Sequence, residues 1–149
     1  DFDVAIAYAQ RAIERHEAGD GRIEPAPTYL ALGSAYFMKK DMARAIENFH
    51  KAEGLLPVRF DIDAAVFRNL GLAYDTQHEV DRALTYYLEA SELDPSSDDL
   101  WRKIAYCRLR LGDSRQAAHD WKRARDINAS LPAFSEIERA YQQSTSGKQ

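Results

Sequence analysis

The stretch "LGSAYFMKKDMARAIENFHKAEGLLP", Leu32 to Pro57, returns 38 residues later as "LGLAYDTQHEVDRALTYYLEASELDP", Leu70 to Pro95. Both copies keep Leu-Gly, Ala-Tyr, an Ala-Ile or Ala-Leu pair, a later Ala and a final Pro, while almost every polar residue between those marks changes. A chain that repeats its small and apolar residues in register is stacking copies of one unit, because internal positions are fixed by volume and solvated ones are free to drift. A third copy keeps Trp101, Ile104, Ala105, Ala117, Trp121 and Ala124. Ala105 follows Gly71 by 34 residues, so the unit is 34 residues long and the first two copies are separated by four more, placed within "VRFDID", Val58 to Asp63.

The spacing inside each unit is helical. Tyr29, Leu32, Gly33 and Tyr36 recur at three- and four-residue intervals, as do Phe67, Leu70, Gly71 and Tyr74, which aligns them on one helix face. A short polar break follows, then a second helical stretch carrying Ala45, Phe49 and Ala52, or Ala83, Tyr87 and Ala90. Pro57 and Pro95 end that stretch, since proline has no amide proton and clashes with the preceding turn. Each unit is therefore a helix-turn-helix hairpin. Its glycines and alanines let helices approach closely, and Tyr36, Tyr74, Phe49 and Tyr87 are expected to fill the space between successive hairpins.

This pattern resembles the tetratricopeptide repeat (TPR) family, whose signature is W-x-x-L-G-x-x-Y, then A-x-x-x-F-x-x-A, then P, on a 34-residue period. The resemblance implies an all-α superhelical solenoid with repeats at 26–59, 64–97 and 98–131. The third copy departs at Ala105 for Gly, Arg108 for Tyr and Ala129 for Pro. Residues 1–25 read as the second half of a further repeat, with Ala5, Ala9 and Ala12 in the places of Ala45, Phe49 and Ala52, followed by a loop over "GDGRIEPAP", Gly19 to Pro27. Residues 132–149 read as a polar capping helix, "PAFSEIERAYQQS", and a disordered tail, "TSGKQ".

Composition narrows the function. A net charge of −4 argues against a general nucleic-acid binder, and no apolar run reaches the roughly 20 residues that cross a bilayer. The single cysteine, Cys107, excludes an internal disulfide and a multi-cysteine zinc site. Together with the absence of a leader-like start it fits a cytoplasmic setting, with the periplasm left open. No catalytic, metal-ligating or cofactor-binding constellation stands out. His16, His50, His78 and His119 lack ligand spacing and read as solvated surface residues. Cys107 reads as a buried small hydrophobe, and "DPSSDD" and "FDID" read as helix caps and turns.

The resemblance further implies a concave groove, lined by the first helix of each hairpin, that takes a partner's peptide or helix. The lining would be Leu30, Ser34, Phe37 and Met38 in the first repeat, Arg68, Asn69, Leu72, Asp75 and Thr76 in the second, and Arg102, Lys103, Tyr106, Leu109 and Arg110 in the third. An apolar half beside a basic half suits a peptide with hydrophobic anchors and an acidic segment or free carboxylate. The charge swings between repeats, two basic against six acidic in the second and eight against five in the third, are equally consistent with contacts between neighbours. TPR domains that clamp acidic chaperone tails hold Lys, Asn, Asn, Lys and Arg where this chain has Leu30, Ser34, Asn69, Asp99 and Lys103, so that subtype is not expected. The leading expectation is a non-enzymatic protein-interaction scaffold. The alternatives are a structural module that self-associates through its N-terminal edge, and a regulatory segment of a larger enzyme.

Overall fold

The computed structural model describes residues 2–19, 24–55 and 60–146. Among them are eight α-helices and no strand: α1 (Phe2–Glu17), α2 (Pro25–Met38), α3 (Met42–Gly54), α4 (Phe60–Thr76), α5 (Val80–Leu93), α6 (Asp98–Arg110), α7 (Ser114–Ile127) and α8 (Phe134–Ser146). The helices α2 and α3, α4 and α5, and α6 and α7 form hairpins, and successive hairpins meet through α3 on α4 and α5 on α6. The chain is an all-α solenoid.

The hairpins are held by small residues facing rings. A β-carbon added at Gly33 would lie 2.6 Å from Phe49 Cδ1 and Cε1, and one at Gly71 would lie 2.6 Å from the same atoms of Tyr87. Only glycine leaves room for the ring there. These rings therefore close their own hairpin, rather than only the gap to the next one as the sequence pattern implied. Ala45, Ala52, Ala83, Ala90, Ala117 and Ala124 are all 0% exposed, which places the small-residue marks of every second helix inside the stack.

The turn within each hairpin is also repeated. Lys40 and His78 adopt φ of 63° and 65°, and Gly112 occupies the same place in the third hairpin at 85°. The next helix then opens on a cap, with Asp41 accepting from the Arg44 amide and Asp113 from the Gln116 amide. Ser97 caps α6 through the Leu100 amide. Two tryptophans tie the connections between units: Trp101 Nε1 donates to the Pro95 carbonyl and Trp121 Nε1 to the Pro132 carbonyl, each at 2.9 Å.

Several boundaries differ from the sequence reading. Helix α2 begins at Pro25, so Pro25 to Pro27 open a helix instead of closing a loop; proline suits a first turn, where its missing N–H has no intrahelical partner. Helix α4 begins at Phe60, so part of the insertion becomes an extra helical turn and "FDID" lies within a helix, while Val58 and Arg59 lie outside the described residues. Helix α8 runs through Thr145 and Ser146, which the sequence assigned to a disordered tail.

Two polar networks replace standard repeat positions. His50 is half-buried between repeats, with Nδ1 2.7 Å from Glu53 Oε2 and Nε2 2.9 Å from Tyr74 Oη. His16 is half-buried as well, so neither is the solvated residue that helical spacing suggested. In the third hairpin, Arg108 stands where tyrosine stands in the other two, and its Nη1 meets Asp120 Oδ2 at 2.5 Å, the two side chains being 20% and 3% exposed. Burial pushes the Asp120 carboxyl above its ordinary 3.8, with the Arg108 charge opposing that shift. Removing Arg108 leaves a buried carboxylate unpaired, a loss of about 3 kcal/mol. Arg102→Ala, whose ion pairs are partly solvated, is expected to lose only about 0.5 kcal/mol. A raised folded-state pKa gives stability that is present below 3.8 and lost as pH rises through the folded value. The deficit of Arg108→Ala in urea titrations therefore shrinks as pH falls towards 4.

Candidate interaction groove

The first helices α2 and α4 touch directly and leave a notch of about 200 Å³ lined by Ser34, Phe37, Met38, Phe49, Asn69 and Leu72. Four residues expected from the sequence, Ser34, Phe37, Asn69 and Leu72, thus meet in one place. Phe37 and Met38 line this opening, and Met38 is 58% exposed. The floor is Phe49, the same ring that lies against Gly33. Ser34 Oγ donates to the Leu30 carbonyl at 2.8 Å, and Asn69 Nδ2 donates to Ser34 Oγ at 3.4 Å. This couples the two helices while leaving the Asn69 carbonyl oxygen as an acceptor. Leu30 is half-buried one turn before Ser34.

The basic half differs from expectation in one physical respect: its charges are already engaged. Arg102 pairs with Asp99 at 3.0 Å and with Asp98 at 3.4 Å, and Lys103 Nζ lies 3.9 Å from Asp99. Lys103 Nζ also lies 5.9 Å from the centre of the Tyr87 ring. Arg110 forms an ion pair with Asp75 across the junction between the second and third repeats. These contacts turn a run of cations into a locally balanced surface. Arg68, on α4, is exposed and has no ion pair among the described residues.

Tyr106 is 41% exposed, and its ring meets Trp121 edge-on at 5.6 Å. Leu109, expected in the lining, is buried in the core instead. A larger open cleft of about 490 Å³ lies between α1 and α3. It is crossed by internal contacts, Lys51 to Glu47 at 2.8 Å and Arg44 over the Tyr36 ring at 4.6 Å, so its charges are spent within the fold.

Among the described residues no group of three or more His, Cys, Asp and Glu side chains could hold a metal ion, and no helix is long and apolar enough to cross a membrane. Cys107 is buried, and burial pushes its thiol up to about 12. Since the thiolate is the reactive form, the folded chain should react with a thiol reagent at pH 8 at least tenfold more slowly than the urea-unfolded chain. Equal rates would show that Cys107 is accessible.

Stacked hairpins with an apolar notch on their first helices define a helical-repeat scaffold. The chain belongs to the tetratricopeptide repeat family, whose profile matches residues 1–57 and 68–132. It is 29% identical over 111 residues to heat shock protein STI1 of Saccharomyces cerevisiae and 28% identical over 122 residues to tetratricopeptide repeat protein 37 of Xenopus laevis. Those stretches are 74% and 82% of this chain but only 18% and 7% of the two relatives. Among solved structures, MamA is 27% identical with a TM-score of 0.64, over 70% of this chain and 58% of that one. The first TPR of Spaghetti (RPAP3), solved bound to the HSP90 peptide SRMEEVD, has a TM-score of 0.68 at 18% identity, over 81% of this chain and 93% of that one. At that identity the likeness is one of fold.

Proposed function

We propose that this chain is a non-enzymatic interaction module that holds a peptide or helix of another protein along its first helices. The observation that carries the reading is the notch between α2 and α4, where Phe37, Met38 and Leu72 meet beside Asn69. Protein interiors leave few such apolar openings, and one rimmed by polar groups favours a buried side chain with its backbone fixed by hydrogen bonds. A leucine, methionine or phenylalanine of the partner fills the notch, and Asn69 meets its backbone.

The acidic segment or free carboxylate lies towards the C-terminal repeats. Arg68 is the first cation it meets, and Arg102 and Lys103 lie one repeat on, beside Tyr106. Their present contacts with Asp98 and Asp99 have to be loosened, so the electrostatic part of binding is weak and the apolar anchor dominates. The positions that would clamp a chaperone tail are Leu30, Ser34 and Asp99 in place of cations or amide donors, which separates this groove from that subtype.

Selection from a random peptide library displayed on phage tests the reading. Enriched sequences should combine one large apolar residue with acidic residues, and Leu72→Asp should weaken their binding at least tenfold, about 1.4 kcal/mol. Arg68→Glu should reduce affinity less and flatten its salt dependence. Enriched peptides that bind Leu72→Asp as well as the parent chain would contradict the notch as the site.

A further inference from the structure

The two ends of the solenoid are complementary halves of one hairpin. Helix α1 carries the second-helix pattern, with Ala5, Ala9 and Ala12 in the register of Ala45, Phe49 and Ala52. Those alanines are fully buried in the internal hairpins, whereas Ala5 is exposed and Ala12 half-buried. An open face of α1, lined by Tyr8, Arg11, Ala12 and Arg15, is left beside them. Helix α8 carries the first-helix pattern: Phe134, Ile137 and Tyr141 have the spacing of Tyr29, Leu32 and Tyr36, with Glu138 in the glycine place. Leu32, Gly33 and Tyr36 are buried, yet Ile137, Glu138 and Tyr141 remain only half-buried, because no second helix folds back over α8.

We infer that α8 of one copy packs on α1 of a second copy, completing a hairpin between chains and extending the solenoid head to tail. The internal hairpins fix the register. Lys51 lies over the Tyr29 ring and Arg44 over the Tyr36 ring, 5.7 and 4.6 Å from their centres, so early first-helix residues face late second-helix residues. Carried over by the 40-residue offset between Ala5 and Ala45, Arg11 takes the place of Lys51 over the Phe134 ring, and Val4 takes the place of Arg44 beside Tyr141.

Volume and charge agree with that register. Inside the fold a glycine faces a ring, Gly33 against Phe49 and Gly71 against Tyr87. In the joint between copies the sizes are reversed, with Glu138 facing Ala9, so the bulk of the pair is conserved. Glu136 and Glu138 lie in the first half of α8, against the half of α1 that holds Arg11 and Arg15. The exposed Val4 and Tyr8 add apolar area on the α1 side. Because the two surfaces differ, the contact is heterologous, and it builds rows or rings rather than a closed two-fold dimer.

Sedimentation equilibrium of the chain over a wide concentration range tests this, alongside Ala5→Glu. Ala5 is exposed in the single copy, so a glutamate there leaves folding intact, but its counterparts Ala45, Ala83 and Ala117 have no room at all. The average mass of the parent chain should climb with concentration. Ala5→Glu should stay a monomer with an unchanged circular-dichroism melt. Glu138→Arg should also stay a monomer, and adding Arg11→Glu to it should restore association. A parent chain that remains a monomer at every concentration overturns the proposal, as does association that Ala5→Glu leaves unchanged. Peptide binding at the α2–α4 notch is read separately, so either site can fail alone.

Discussion

The structure depends on one contact used repeatedly, an aromatic ring lying against a glycine backbone inside a hairpin. Phe49 on Gly33 and Tyr87 on Gly71 bring paired helices to a separation that no other residue at the glycine position allows. Placing glycine in mid-helix costs about 1 kcal/mol of helix propensity. Burial of a whole aromatic side chain, worth about 2–3 kcal/mol, offsets that cost in each hairpin. The third hairpin reaches the same end differently, with Ala105 buried on α6 and the edge-on pair of Tyr106 and Trp121 between α6 and α7.

That contact also shapes the groove. Phe49 closes the hairpin with one part of its ring and floors the notch between α2 and α4. The interaction surface is thus a by-product of packing, which is why apolar residues that look like core, Phe37 and Leu72, remain partly open. The polar substitutions sit where the stack tolerates them: Arg108 with Asp120 within a hairpin, and His50 with Tyr74 between hairpins. A buried pair of this kind gives orientation more than net stability.

The sequence made the fold legible because volume constraints act at fixed spacing. Gly33, Gly71 and the paired alanines announce helix contacts from their positions alone, and the burial of Cys107 follows from its place on a first helix. Charge was less legible. The pairs of Asp98 with Arg102 and Asp99 with Lys103 were visible as four-residue spacings, and weighing them would have shown the cations to be engaged. The pair of Asp75 with Arg110 and the bridge from His50 to Tyr74 join residues 35 and 24 apart, so they depend on the offset between stacked units, which spacing within one unit does not reveal. Leu109 was placed in the groove by repeat position, yet the stack turns it inward. Helix ends were misread where proline opens α2 and where the insertion lengthens α4.

The most direct test of the account is a double-mutant cycle on Gly71 and Tyr87, read as urea-unfolding free energies. With Tyr87 present, Gly71→Ala forces a β-carbon against a fully buried ring, and overpacking of about 1–3 kcal/mol outweighs the propensity gain, so the variant is less stable. In a Tyr87→Ala background the ring is gone, and the same Gly71→Ala change should stabilise by up to about 1 kcal/mol. A reversal of sign supports the ring-on-glycine contact as the constraint that sets the hairpin. An equal loss in both backgrounds would contradict it.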